Sequence, residues 1–102
     1  MPVIQEREKS IESYLRERVK ELGGKAYKFV SPGNNGVPDR MVCLPGGHVL
    51  FVELKGPGKK TTPLQERQIN YLAGLGFSVW VIYSKDGVDE FIDFCKREVM
   101  PQ

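Results

Sequence analysis

The chain has 102 residues, 40% of them hydrophobic and 27% charged, with a formal net charge of +2. This is ordinary globular composition and enough chain for one modest core but not two, which excludes general disorder and a two-domain arrangement. Two cysteines, Cys43 and Cys95, are too few for a disulfide framework or a zinc or iron–sulfur site and fit free buried thiols, while a charged start and strand-length apolar runs predict neither signal peptide nor membrane span.

From Glu6 to Leu22, the apolar residues Ile11, Leu15, Val19 and Leu22 recur at helical spacing, and Gly23-Gly24 supplies the stop. Lys25 to Val30 reads as a short strand. The following segment, Ser31 to Pro38, is rich in turn formers and delivers the chain to Asp39. Arg40–Leu44 and His48–Lys55 flank Pro45-Gly46-Gly47 as the two arms of a β-hairpin. Gly56 to Thr61 is a basic loop, and Thr62-Pro63-Leu64-Gln65 has the N1 proline and capping-box spacing that start a helix running to about Ala73. Phe77 to Tyr83 is apolar on both faces, as in a strand covered on both sides and lying parallel in a mixed sheet. Val88, Phe91, Ile92 and Cys95 mark a last helix. The order α-β-β-β-α-β-α predicts an α/β domain with a mixed sheet flanked by helices. Phe29, Phe51, Trp80 and Tyr83 are expected in its core, and His48 in a structural role at the turn.

The chemistry concentrates at one end of the hairpin. Glu53 and Lys55, two residues apart on an apolar strand, point to the same face, so a core-like strand carries a charged pair at its end. Taken singly, Pro38-Asp39 is an ordinary turn and Glu-x-Lys an ordinary cross-strand pair. Together they converge, because the hairpin folds Asp39 back beside Glu53. Two carboxylates able to share a divalent cation, with an ammonium beside them, suit phosphodiester hydrolysis. The convergence depends on turn length. A two-residue turn would set Asp39 opposite Leu54 and away from Glu53, so a shared site requires the three-residue loop Pro45-Gly46-Gly47 with Leu44 facing His48, or a bulge. Lys55, Lys59, Lys60 and Arg67 cluster nearby in a local basic patch that the small net charge hides.

Gly36-Val37-Pro38-Asp39-Arg40, Phe51-Val52-Glu53-Leu54-Lys55 and Pro63-Leu64-Gln65 resemble the PD-(D/E)XK nuclease superfamily, with its restriction-endonuclease-like fold. More narrowly they resemble its VRR-NUC family in the short stand-alone form of phage and bacteria, and the likeness runs over nearly the whole chain as one domain, 1–102. The resemblance implies a deoxyribonuclease dependent on Mg²⁺ or Mn²⁺, with Asp39, Glu53 and the Leu54 carbonyl as metal ligands and Lys55 as the catalytic lysine. It also implies a helix glutamate near the metal. Glu12, on the face of Leu15 and Val19, suits this better than Glu8, although it also reads as a solvated helix charge. Gln65 matches the family glutamine that orients the lysine or a phosphate, and it equally matches the capping position. Lys59, Lys60, Arg67 and Ser31 are candidate DNA contacts. The expected protein is a cytoplasmic enzyme of a bacterial or phage-infected cell, a structure-selective endonuclease cutting four-way DNA junctions as a homodimer, with its interface on the terminal helices. A non-catalytic nucleic-acid-binding module and a sequence-specific restriction-type nuclease are the alternatives.

Overall fold

The computed structural model describes residues 3–100. Helix α1 (Val3–Glu21) leads into β1 (Lys25–Lys28), β2 (Arg40–Leu44) and β3 (His48–Leu54), then α2 (Pro63–Gly74), β4 (Val79–Ile82) and α3 (Lys85–Phe94), which continues as a π-helical turn over Cys95–Val99. The element order is the predicted one. The strands form one sheet in the order β1-β2-β3-β4, antiparallel except for the parallel β3–β4 pair that α2 connects.

One face of the sheet carries the core. Ile11, Leu15 and Val19 of α1 and Val88, Phe91 and Ile92 of α3 pack on Val42, Leu44, Leu50, Val52, Leu54 and Ile82, the inward alternate positions of the strands. Phe91 is fully buried and meets Trp80 edge-on at 5.3 Å between centroids; truncating such a ring to alanine costs about 3–5 kcal/mol. Arg18 locks α1 to α3 by reaching Asp89 at 2.5 Å, with Tyr14 donating to the same carboxylate at 2.6 Å.

The opposite face is covered thinly. Phe29, Phe51 and Phe77 stack in a row, at 5.3 and 5.4 Å between centroids, but α2 has no buried residue at all. Four expectations change for this reason. In β4 only Ile82 is buried, and Val79, Trp80 and Val81 are half-buried rather than covered on both faces. Cys43, on the thinly covered side of β2, is half-buried, whereas Cys95 in the main core is buried as expected. Tyr83 falls beyond the end of β4 and is 44% exposed. Among the described residues, the exposed large apolar side chains belong to β1, α2 and the loops, so the part of the terminal helices whose side chains are described offers no such patch for a dimer contact.

The hairpin has the odd turn that a shared site demands. Leu44 faces His48 across Pro45-Gly46-Gly47, and the register continues through Arg40 opposite Val52. Both turn glycines take positive φ, +92° and +81°, a region open to glycine and strained for other residues. Gly36 serves a different purpose. Its φ is +91°, and a Cβ there would lie 2.8 Å from the Leu64 carbonyl carbon and oxygen, so the loop before Asp39 presses its bare backbone onto the first turn of α2. Gly36→Ala therefore combines backbone strain with a clash against main chain, and is expected to destabilise the fold by about 1–3 kcal/mol. Chemical denaturation measures this; a midpoint equal to wild type would show that the loop yields freely.

Candidate active site

The sheet end formed by the start of β2 and the finish of β3 gathers the polar groups. Asp39 precedes β2, and its backbone carbonyl accepts from Phe29 N–H at 2.8 Å, while its Oδ2 accepts from Leu54 N–H at 2.8 Å. The carboxylate is thus tied across the hairpin to β3. Glu53, on β3, is only 2% exposed, the one buried charged residue among those described. Its Oε2 lies 3.4 Å from Lys55 Nζ and accepts from Gln65 Nε2 at 2.8 Å. Its Oε1 is buried and has no hydrogen-bond partner.

Gln65 takes the capping role, and its remaining amide group reaches Glu53 rather than Lys55. Its Oε1 accepts from Thr62 N–H at 2.9 Å and its N–H donates to Thr62 Oγ1 at 3.2 Å, completing the capping box of α2. Because the cap holds the amide oxygen, the amide nitrogen is directed at Glu53.

Burial and like charge act together on the carboxylates. Burial, reinforced by the Asp39 charge and opposed by Lys55 and by the nearby Asp39 backbone N–H, pushes the Glu53 carboxyl up to about 7. Asp39 is also raised, by burial first, with the Leu54 N–H and Lys55 pulling it down and Glu8 and Glu12 pushing it up. A cation between them would relieve both the repulsion and the lost hydration.

Glu12 is placed differently from a free ligand. Its Oε2 pairs with Arg40 Nη2 at 2.5 Å, and Arg40 Nη1 donates to the Ala26 carbonyl at 3.1 Å, so the guanidinium ties α1 to β1. Glu12 nevertheless borders the same cleft as Asp39. That cleft, about 530 Å³, is lined by Glu8, Lys9 and Glu12 of α1, Lys28 of β1, Phe29, Asp39, Leu54 and Lys59. Lys59 is therefore brought to the site. Lys60 and Arg67 are exposed and line no part of this cleft. The Ser31 hydroxyl accepts from Asn34 Nδ2 at 2.9 Å within its own loop. Lys9, Lys28 and Phe29 are the cleft residues that sequence reasoning missed, Phe29 being half-buried at the cleft rather than in the core. For the two lysines the only early signal was a position one residue from Glu8 and another closing β1.

Among the described residues no three or more His, Cys, Asp or Glu side chains are arranged to hold a metal ion. The acidic donor set is a pair, Asp39 and Glu53. A pair suits a hard divalent cation that keeps several of its waters, and the unpartnered, buried Glu53 Oε1 is an oxygen with unused acceptor capacity.

Comparison with known proteins decides the kinship. The VRR-NUC domain model matches residues 3–86. The chain belongs to the VRR-NUC nuclease family. It is 55% identical over 80 residues to the protein named "Putative nuclease p44" of Acyrthosiphon pisum secondary endosymbiont phage 1, covering 78% of this chain and 86% of the relative. A solved structure described as a VRR_NUC domain superposes with a TM-score of 0.80 at 35% identity, covering 85% of this chain and 95% of the other. The mixed sheet and its helices are thus the fold of this nuclease family. No helix among the described residues is long and apolar enough to cross a membrane.

Proposed function

We propose that this VRR-NUC domain is a divalent-metal-dependent deoxyribonuclease that cuts four-way (Holliday) junctions as a homodimer, with Mg²⁺ or Mn²⁺ as its cofactor. The observation that carries the metal dependence is the buried, unpartnered Glu53 Oε1, on a carboxylate whose pKa is raised in part by Asp39. Asp39, Glu53 and the Leu54 carbonyl would hold the ion. When bound, a divalent ion supplies an activated water and neutralises phosphate charge. The remaining work falls to the protein. Lys55 offsets the charge that builds on the phosphoryl oxygens, Gln65 fixes the Glu53 carboxylate through the helix cap, and Lys59 draws the phosphate into the cleft. Glu12, held by Arg40, is an electrostatic neighbour of the centre, and Glu8 shares the cleft without an ion-pair partner among the described residues.

The choice of substrate rests on symmetry. One small domain supplies one cleft, whereas resolving a junction into two duplexes takes two related nicks, which a two-fold dimer provides most simply. Incubating the protein with duplex, flap, fork and four-way-junction DNA in Mn²⁺, with and without chelator, tests both parts. The expected result is chelator-sensitive cutting that favours the junction, by a species of dimer mass in light scattering. Equal cutting of every substrate by a monomer would leave a generic nuclease.

A further inference from the structure

A second cleft adjoins the first along the seam between α1 and β1. It measures about 510 Å³ and is bordered by Ser13, Arg16, Glu17 and Lys20 of α1 and by Ala26 of β1. The two clefts follow one another on both walls: Glu12 borders the inner and Ser13 the outer on α1, Lys28 the inner and Ala26 the outer on β1. Their linings succeed one another along the α1–β1 seam, leading away from Asp39.

The helical wall of this groove is basic by design of its spacing. Lys9, Ser13, Arg16 and Lys20 succeed one another by four, three and four residues, which places them in a single stripe on the helix. At 1.5 Å per residue the stripe is roughly 16 Å long, about five steps of B-form DNA at 3.4 Å each. Lys9, Arg16, Lys20 and Lys28 are all exposed, and none takes part in an ion pair among the described residues. Their neighbours behave otherwise: Arg18 and Arg40, which face the packed side, are both paired with carboxylates. Lys25 also reaches the outer cleft but lays its ammonium over the Tyr27 ring at 4.8 Å. Glu17 is the one acid of the outer cleft, and the acids of the inner cleft surround the candidate metal centre.

We infer that this α1–β1 groove binds the phosphate backbone of a duplex DNA arm leaving the active site, with Arg16 and Lys20 holding the far phosphates and Lys9 and Lys28 the near ones. The inference rests on the nuclease reading and adds a path for its substrate. A duplex fits better than a single strand. Single-strand tracks depend on rings free to stack on bases, and the one aromatic side chain lining either cleft, Phe29, is occupied against Phe51. Contacts of this kind go to phosphates and carry no sequence information.

The test compares wild type with the double variant Arg16→Ala/Lys20→Ala, using Lys96→Ala/Arg97→Ala on the π-helical turn as a control of equal charge change. Fluorescence anisotropy with a labelled 20-base-pair duplex and a labelled single strand, in chelator, gives affinity as a function of salt. The groove double is expected to bind duplex at least about tenfold more weakly and to lower the slope of log affinity against log salt by roughly two units, with the control double unchanged. Wild-type slope in the groove double, equal losses in both doubles, or a loss confined to the single strand would each overturn the groove. The nuclease reading fails separately, through a wild-type protein that neither binds nor cuts any DNA.

Discussion

Asp39→Ala, Glu53→Ala and Lys55→Ala are each expected to lower DNA cleavage by about 10³-fold or more while leaving the circular dichroism spectrum unchanged. None of the three side chains supports the main core, which lies on the α1–α3 face of the sheet. What they share is a charge-bearing position at one strand end. Glu53 is held by Lys55 and Gln65 through the same oxygen, and its other oxygen is buried without a hydrogen-bond partner. Losing either carboxylate removes half of the acidic donor set, and losing Lys55 removes the cation beside it. A substrate-saturated rate close to wild type in any one variant would take that residue out of the mechanism.

The second large effect is on stability without metal. In the unfolded chain Glu53 releases its proton near 4.5, but in the fold it holds it up to about 7. Between these values the folded protein binds more protons at this group than the unfolded one, so the contribution of Glu53 to stability is greatest below pH 4.5 and falls as pH rises towards 7. The interval corresponds to roughly 3 kcal/mol for this nearly inaccessible group, or on the order of 10 °C in Tm for a domain of this size. Asp39, also raised, adds to the same trend. Thermal melting in chelator between pH 5 and 8 is therefore expected to show wild type losing stability relative to Glu53→Gln, which has the same shape and no charge. Mn²⁺ should reduce the loss at pH 8, because binding requires the ionised carboxylates. Parallel pH profiles for wild type and Glu53→Gln would show that Glu53 is ionised at no cost.

Much of this site could be read from sequence because its geometry is local. A hairpin turn has a length, strands have a period of two, and together they fix which side chains share a face; Asp39 and Glu53 need nothing more. The capping box is likewise contained within four residues, Thr62 to Gln65. Contacts set by how α1 lies across the sheet were not legible. Arg40 pairs with Glu12, 28 residues away, and Lys9 meets Lys28 in a cleft that exists only once helix and edge strand are side by side. The periodicity of α2 and β4 identified the elements but not how completely one covers the other. That depends on the distance between layers, for which composition carries no signal, and Tyr83 and Cys43 were misplaced for that reason.

The hairpin also separates the positions where its length matters from those where it does not. Pro45-Gly46-Gly47 is separated from Asp39 by the five residues of β2 and has no chemistry of its own; the two acids meet because each lies five positions from the Leu44–His48 pair on its own arm. Losing or gaining one residue within either arm would therefore force a slip that sends one arm's side chains to the wrong face, or a compensating bulge, whereas a turn one residue shorter or longer can keep Leu44 opposite His48. The tip of the hairpin is thus where a one-residue change of length is expected to leave the carboxylate pair intact, and the two arms are where it is expected to break it.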